Sequence, residues 1–186
     1  MTKRLFIAID IKPDRDTLNH IHRIQNRLSD EAIKWVDTSG IHLTLKFLGE
    51  TDEALIPEIE EKLRQIASTH KSTRLEMRSM GVFPNPQRPR VIWLGMTSDG
   101  ILSDLVKRID NRMQELGYQP EEREFKPHIT LGRVKFLKNR KNLQKLLDTY
   151  SQTYFQDIPV DEIILYESQL TPKGARYTAL ARFKLQ

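Results

Sequence analysis

The chain carries one short pattern twice, His-x-Thr-x, at His42-Leu43-Thr44-Leu45 and at His128-Ile129-Thr130-Leu131. Each copy lies in an apolar stretch that predicts a strand. Side chains alternate along a strand, so in each copy the His and the Thr share a face while the apolar pair faces a core. Two imidazoles and two hydroxyls are then free to look into one cleft. Imidazole titrates near pH 6.5, so at neutral pH one ring can hold a proton while the other lacks it. Such a pair suits metal-free cleavage of a phosphodiester. One ring takes a proton from the attacking water, the other protonates the leaving oxygen, and each role is typically worth ~10² to 10⁴ in rate. The threonine hydroxyls can donate to non-bridging phosphoryl oxygens and hold the group in line. His42, His128, Thr44 and Thr130 are the candidate catalytic and phosphate-binding residues, and this chemistry calls for no metal and no cofactor.

A lone copy would carry little weight, because a strand histidine often does no more than satisfy a buried carbonyl. With 5 His among 186 residues, chance supplies only ~0.35 His-x-Thr triplets. Two copies with apolar residues at both x positions therefore point to function and to two structurally similar halves. Charge on the phosphoryl oxygens needs a counterpart, and a guanidinium is the natural one. Arg133, just past the second motif, is the nearest candidate. Strict strand parity puts it on the face opposite His128, so the chain has to bend or bulge at Gly132. Lys46 shares parity with His42 and reads as a solvated lysine. Phe47 reads as core, with stacking on an RNA base as its functional alternative.

The elements that must position these residues follow from periodicity and punctuation. Arg4 to Asp10 reads as a strand. Pro13 opens a helix whose stripe is Leu18, Ile21, Ile24 and Leu28. Ile33 to Val36 is a short strand, and Ser39-Gly40 turns into the first motif strand, Ile41–Leu48, which Gly49 ends. A second helix runs from near Asp52 to Ser68, with Pro57 in its first turn. Thr73 to Met80 is a strand, and the prolines at 84, 86 and 89 make Phe83–Pro89 irregular. Arg90–Met96 is a strand. Ile101 to Leu116 is a helix closed by Gly117. The polar stretch Gln119–Lys126 leads to the second motif strand, His128–Val134. Asn139 caps a helix reaching about Thr153, and Val160–Leu170 with Arg176–Leu185 form a hairpin around Thr171-Pro172-Lys173-Gly174. Strand pairs mixed with crossing helices indicate an α+β fold with largely antiparallel sheet.

Composition sets outer bounds. The length suits one compact domain or one domain of two lobes. No apolar run approaches a membrane span. Leu5–Ile9 is too short for a signal sequence, so a cytoplasmic protein is expected. With no Cys, disulfides, thiolate nucleophiles and Cys-zinc sites are excluded. A net charge of +5 favours polyanionic partners such as nucleic acid. The phosphate loop, dinucleotide fingerprint, hydrolase elbow and zinc-protease pair are all missing. His20 and His22 lie two apart on a helix and do not face each other, so they read as helix surface. His70 reads as solvated. Lys135, Lys138, Arg140 and Lys141 form a basic cluster ahead of a helix, a surface feature open to an anion.

These residues resemble the two-histidine (2H) phosphoesterase superfamily, and within it the RNA 2′,3′-cyclic phosphodiesterases, also called 2′-5′ RNA ligase-like proteins. The likeness covers Arg4–Asp10, Trp35-Val36 with Ile41–Gly49, Phe83-Pro84 with Pro89–Gly95, Pro127–Lys135, and Tyr166-Glu167-Ser168 with Tyr177-Thr178. It implies a single bilobal α+β domain over 1–186. The two pseudo-symmetric lobes would be of mainly antiparallel sheet, with helices outside and one motif per lobe facing a central cleft. It implies hydrolysis of RNA ending in a 2′,3′-cyclic phosphate to a 2′-phosphomonoester, with His42 as general acid and His128 as general base. Thr44 and Thr130 would hold the phosphoryl oxygens and Arg133 would lie near the phosphate. The near-symmetric motifs leave the two histidine roles interchangeable on the residues alone. Small cyclic nucleotides are alternative substrates, and a monomer is expected. The reverse ligation of 2′-phosphate and 5′-hydroxyl RNA ends, and a non-catalytic RNA-binding module, are the competing readings.

Overall fold

The computed structural model describes every residue except Ser98, Asp99 and Lys173. The first half runs β1 (Thr2–Asp10), α1 (Arg15–Arg27), β2 (Ala32–Trp35), β3 (His42–Asp52), α2 (Ile56–Ala67) and β4 (Thr73–Phe83). The second runs β5 (Val91–Met96), α3 (Gly100–Gln114), β6 (His128–Phe136), α4 (Arg140–Thr149), β7 (Tyr154–Val160), β8 (Glu162–Thr171) and β9 (Gly174–Lys184). Two antiparallel sheets result, ordered β3-β1-β8-β9 and β2-β6-β5-β4-β7. The two motif strands lie in different sheets. The halves interlock, because β2 and β4 join the sheet of the second motif while β8 and β9 complete the sheet of the first.

One apolar core lies beneath both sheets. Leu5, Ile7, Ile9 and Leu43 reach it from the first, and Ile92, Leu94, Ile129 and Leu131 from the second. Helical stripes close it, Ile21 and Ile24 from α1, Ile59 and Leu63 from α2, Leu105 and Ile109 from α3. Each such side chain, fully buried, contributes about 1.5–3 kcal/mol. The other face of the first sheet carries a separate patch of Phe6, Ala8, Ile164 and Tyr166, with Tyr177 packed on it. His42 packs against that second face.

Several local expectations change. Pro13 does not open α1, because the Asp14 side chain caps the helix by accepting from Thr17 N at 2.7 Å. Gly49 does not end β3. It takes φ +71° and the strand continues, with Thr51 paired to Lys3. The helix expected to reach Thr153 stops at Thr149, and residues 154–160 form a strand beside β4. That strand is an edge, which is where a proline such as Pro159 is tolerated. In the final hairpin Thr171 pairs with Gly174, while Lys173 lies outside the described residues. His70 is buried rather than solvated. Its Nε2 donates to Ile101 O at 3.0 Å, and the backbone N–H of Gln186 donates to its carbonyl. His20 is half-buried, edge-on to Tyr150 and Phe155. Among the described residues no helix is long and apolar enough to cross a membrane.

Candidate active site

β3 and β6 come within 8 Å of each other, Cα to Cα, although they belong to different sheets. The connection between lobes is short. Val36 N donates to Leu131 O at 2.8 Å, and a turn at Thr38–Gly40 then delivers the chain to His42. Both motifs begin their strands, and both keep their apolar pairs buried.

The two imidazoles are held alike. Nδ1 of His42 lies 2.8 Å from Gly40 O, and Nδ1 of His128 lies 2.6 Å from Lys126 O. A carbonyl only accepts, so in each ring Nδ1 carries the hydrogen. That leaves Nε2 available, and among the described residues it has no protein partner in either ring. The hydroxyls of Thr44 and Thr130 are likewise without a protein hydrogen bond among the described residues. Aromatic rings fix the imidazole planes. His42 packs on Phe6 with centroids 4.8 Å apart and meets the edge of Tyr177 at 4.9 Å. His128 meets Phe83 edge-on at 4.9 Å, with Trp93 behind it at 6.2 Å. Trp93 lies flat because residue 81 is glycine. A Cβ there would fall 2.1 Å from Trp93 Cζ2.

The strands depart from simple alternation at the same point of each motif. Along β3, Thr44 pairs with Ala8 and Lys46 with Ile7, so Leu45 has no partner in β1. Along β6, Thr130 pairs with Trp93 and Gly132 with Ile92, so Leu131 has no partner in β5. Each is a β-bulge at the last motif residue, and each inverts the parity of the residues after it. Phe47 and Arg133, at matching positions, therefore join the His and Thr face. Arg133 reaches that face without a special backbone angle at Gly132. Glycine is needed at 132 for another reason: a Cβ there would lie 2.7 Å from the Trp35 ring.

Two expectations are overturned by the first bulge. Phe47 is not core; it is 65% exposed, with its ring 6.0 Å from Phe6. Lys46 is not solvated; it is 7% exposed, ion-paired with Asp110 and donating to Gln119 O at 3.0 Å. The aromatic partners of the two histidines went unassigned in the sequence, and only the strand register could have located them. A groove of about 720 Å³ between α1 and α4 is lined by Arg23, Arg27 and Lys145 among others and contains neither motif.

Burial holds both imidazoles below the usual 6.5, because the charged form loses water. The backbone acceptors oppose this. The remaining influences differ in sign. Asp10, the cross-strand partner of His42, favours the protonated ring, whereas the Arg133 charge disfavours protonation of His128. Replacing Arg133 by glutamine removes a positive neighbour, so the His128 pKa is expected to rise while that of His42 moves less. Proton NMR titration of the ring Cε1–H signals reads both. A fall at His128 would contradict the placement of the guanidinium beside it.

The family model described as LigT like Phosphoesterase matches the chain twice, over residues 11–93 and 95–177. Each match contains one His-x-Thr-x motif. The chain is 36% identical to a protein of Methanothermobacter thermautotrophicus named RNA 2′,3′-cyclic phosphodiesterase, over 100% of both chains. It is also 36% identical to a protein of the same name from Methanocaldococcus jannaschii, over 95% of this chain and 98% of that one. Among solved structures, E. coli LigT complexed with 3′-AMP superposes with TM-score 0.80 at 27% identity, covering 100% of this chain and 99% of the other. A Thermus thermophilus protein gives 0.81 at 29% identity, covering 98% and 97%. A duplicated match, relatives aligned end to end and a shared two-sheet fold agree: this chain belongs to the LigT-like phosphoesterase family.

Proposed function

We propose that the chain hydrolyses RNA 2′,3′-cyclic phosphate ends to 2′-phosphomonoesters, using His42 and His128 as acid and base without a metal. One observation carries this reading. Two rings with Nδ1 fixed by backbone sit on strands of different sheets that approach each other, and among the described residues neither Nε2 nor the threonine hydroxyl beside it has a protein partner. The curated relatives bear the name of this activity. His128 Nε2 takes a proton from water as its oxygen attacks phosphorus. The bond from phosphorus to O3′ breaks, and His42 gives O3′ its proton. Thr44 and Thr130 donate to the non-bridging oxygens, and Arg133 offsets their charge. Phe47 offers an exposed face for a base.

The role assignment has electrostatic support. Burial lowers both rings; beside it, the Asp10 carboxylate draws His42 toward the protonated form an acid carries, and the Arg133 charge adds to burial in pushing His128 toward the neutral form of a base. With both rings below 6.5, the kcat/KM profile is expected to be a bell with both inflections on the acid side of 6.5. A flat profile would contradict paired acid–base action. The continuous core supports one bilobal domain over 1–186. Both motifs belong to one chain, so a monomer is sufficient, and an RNA substrate fits a cytoplasmic enzyme.

The direct test is an oligoribonucleotide ending in a 2′,3′-cyclic phosphate, incubated with purified protein and excess chelator. Conversion to a 2′-phosphate end is expected. A 3′-phosphate product, or RNA binding without turnover, would reject the proposal.

A further inference from the structure

We infer that Lys34 binds a second phosphate of the substrate, the one on the 5′ side of the terminal nucleotide, and so makes the site selective for an RNA strand over a cyclic mononucleotide. This rests on the activity proposed above.

Lys34 lies on β2, the edge strand of the second sheet, directly opposite Arg133 of β6. Its neighbours fix its direction. Ile33 and Trp35 pack on the core side against the backbone of Gly132, so Lys34 projects from the other face, the one carrying His128 and Thr130. Opposed residues in an antiparallel pair have Cβ atoms about 4.5–5.5 Å apart, and like charges there destabilise the sheet. Neither Lys34 nor Arg133 forms an ion pair among the described residues. Both are exposed. An anion is the counterpart this pair lacks.

One phosphate does not account for two cations abreast. Arg133 follows Thr130 by three residues, one of them absorbed by the bulge, which sets it about 7 Å along the strand. A guanidinium reaches back from there toward the cyclic phosphate. Lys34 stands one strand farther out, and its Nζ lies 3.9 Å from where a Gly174 Cβ would be. Gly174 begins β9 of the other sheet. The ammonium therefore lies close to the backbone of the other sheet, and a strand running past it from the active site would present its next phosphate there. A nucleoside 2′,3′-cyclic phosphate has no phosphate to place there, whereas a dinucleotide or longer strand has one.

The test compares a nucleoside 2′,3′-cyclic phosphate with the dinucleotide ending in the same group. In the wild type kcat/KM is expected to favour the dinucleotide by about tenfold, the worth of one hydrogen bond to a charged group. In Lys34→Ala that ratio falls toward one, in Lys34→Arg it is retained, and raising salt erodes it in the wild type but not in the alanine variant. A ratio near one in the wild type, or a ratio unchanged by Lys34→Ala in a protein whose circular dichroism and melting point match the wild type, would overturn the inference. Failure to turn over either substrate would instead refute the proposed activity.

Discussion

Replacement of His128 by alanine is expected to lower kcat on a cyclic-ended oligoribonucleotide by ~10² to 10⁴, with little change in KM. His42→Ala should cost a similar factor. The double variant should lose far less than the product of the two, since base and acid act in one displacement. The single variants also separate the roles. A nitrophenyl phosphodiester has a leaving group that departs without a proton, so His42→Ala should regain most of its activity on that substrate. His128→Ala should not, because water still needs a base. The reverse pattern would exchange the assignments that Asp10 and Arg133 favour. Full activity in the double variant would remove catalysis from the cleft altogether.

The motif residues were legible because they obey a local rule. His-x-Thr-x in an apolar strand places His and Thr on one face whatever the tertiary context, and both copies lie as that alternation requires. The mixed antiparallel fold was legible for the same reason, since the periods of its helices and strands are written into the chain. The residues just beyond each motif were not. A bulge is made by pairing with a neighbour, and nothing within Leu45-Lys46-Phe47 says that β1 will skip Leu45. One unpaired residue exchanged the expected places of Lys46 and Phe47. The same displacement at Leu131 decides the position of Arg133, whose sequence reading had to require a bulge without being able to locate it.

Residues 154–160 and His70 were obscured by tertiary context of another kind. Tyr154–Val160 carries a proline and little alternation, and it is a strand only because β4 offers it an edge. His70 sits in a polar stretch that reads as loop, yet Ile101 and the chain at Gln186 cover it. Interlocking of the halves was equally hidden. β2 follows the first helix in sequence but pairs beside the second motif, and that exchange brings Lys34 opposite Arg133.

The misread lysine leads to the second large effect. Lys46 Nζ is almost fully shielded between Asp110 of α3 and Gln119 O, and Asp110 also accepts from Glu121 N and the Gln114 side chain. The stretch it fastens is the one that leads to His128. Removing one partner of a buried pair leaves an uncompensated charge, typically at a cost of 3–5 kcal/mol. Asp110 keeps some contact with water, so Lys46→Ala should cost about 3 kcal/mol, the lower end of that range. For a chain of this size the melting temperature should fall by roughly 6–12 °C. The freed segment also unsettles His128, and kcat should fall by up to ~10², as small displacements of a catalytic group can do. Lys46→Met combined with Asp110→Leu replaces the pair with apolar volume and should recover much of the stability. It cannot restore the acceptor for Glu121 N, so the rate should stay low. Calorimetry and single-turnover kinetics on the two variants thus separate the two functions of this pair. Recovery of rate together with stability would reduce Lys46 to packing, whereas stability without rate identifies the ion pair as what holds the approach to His128 in place.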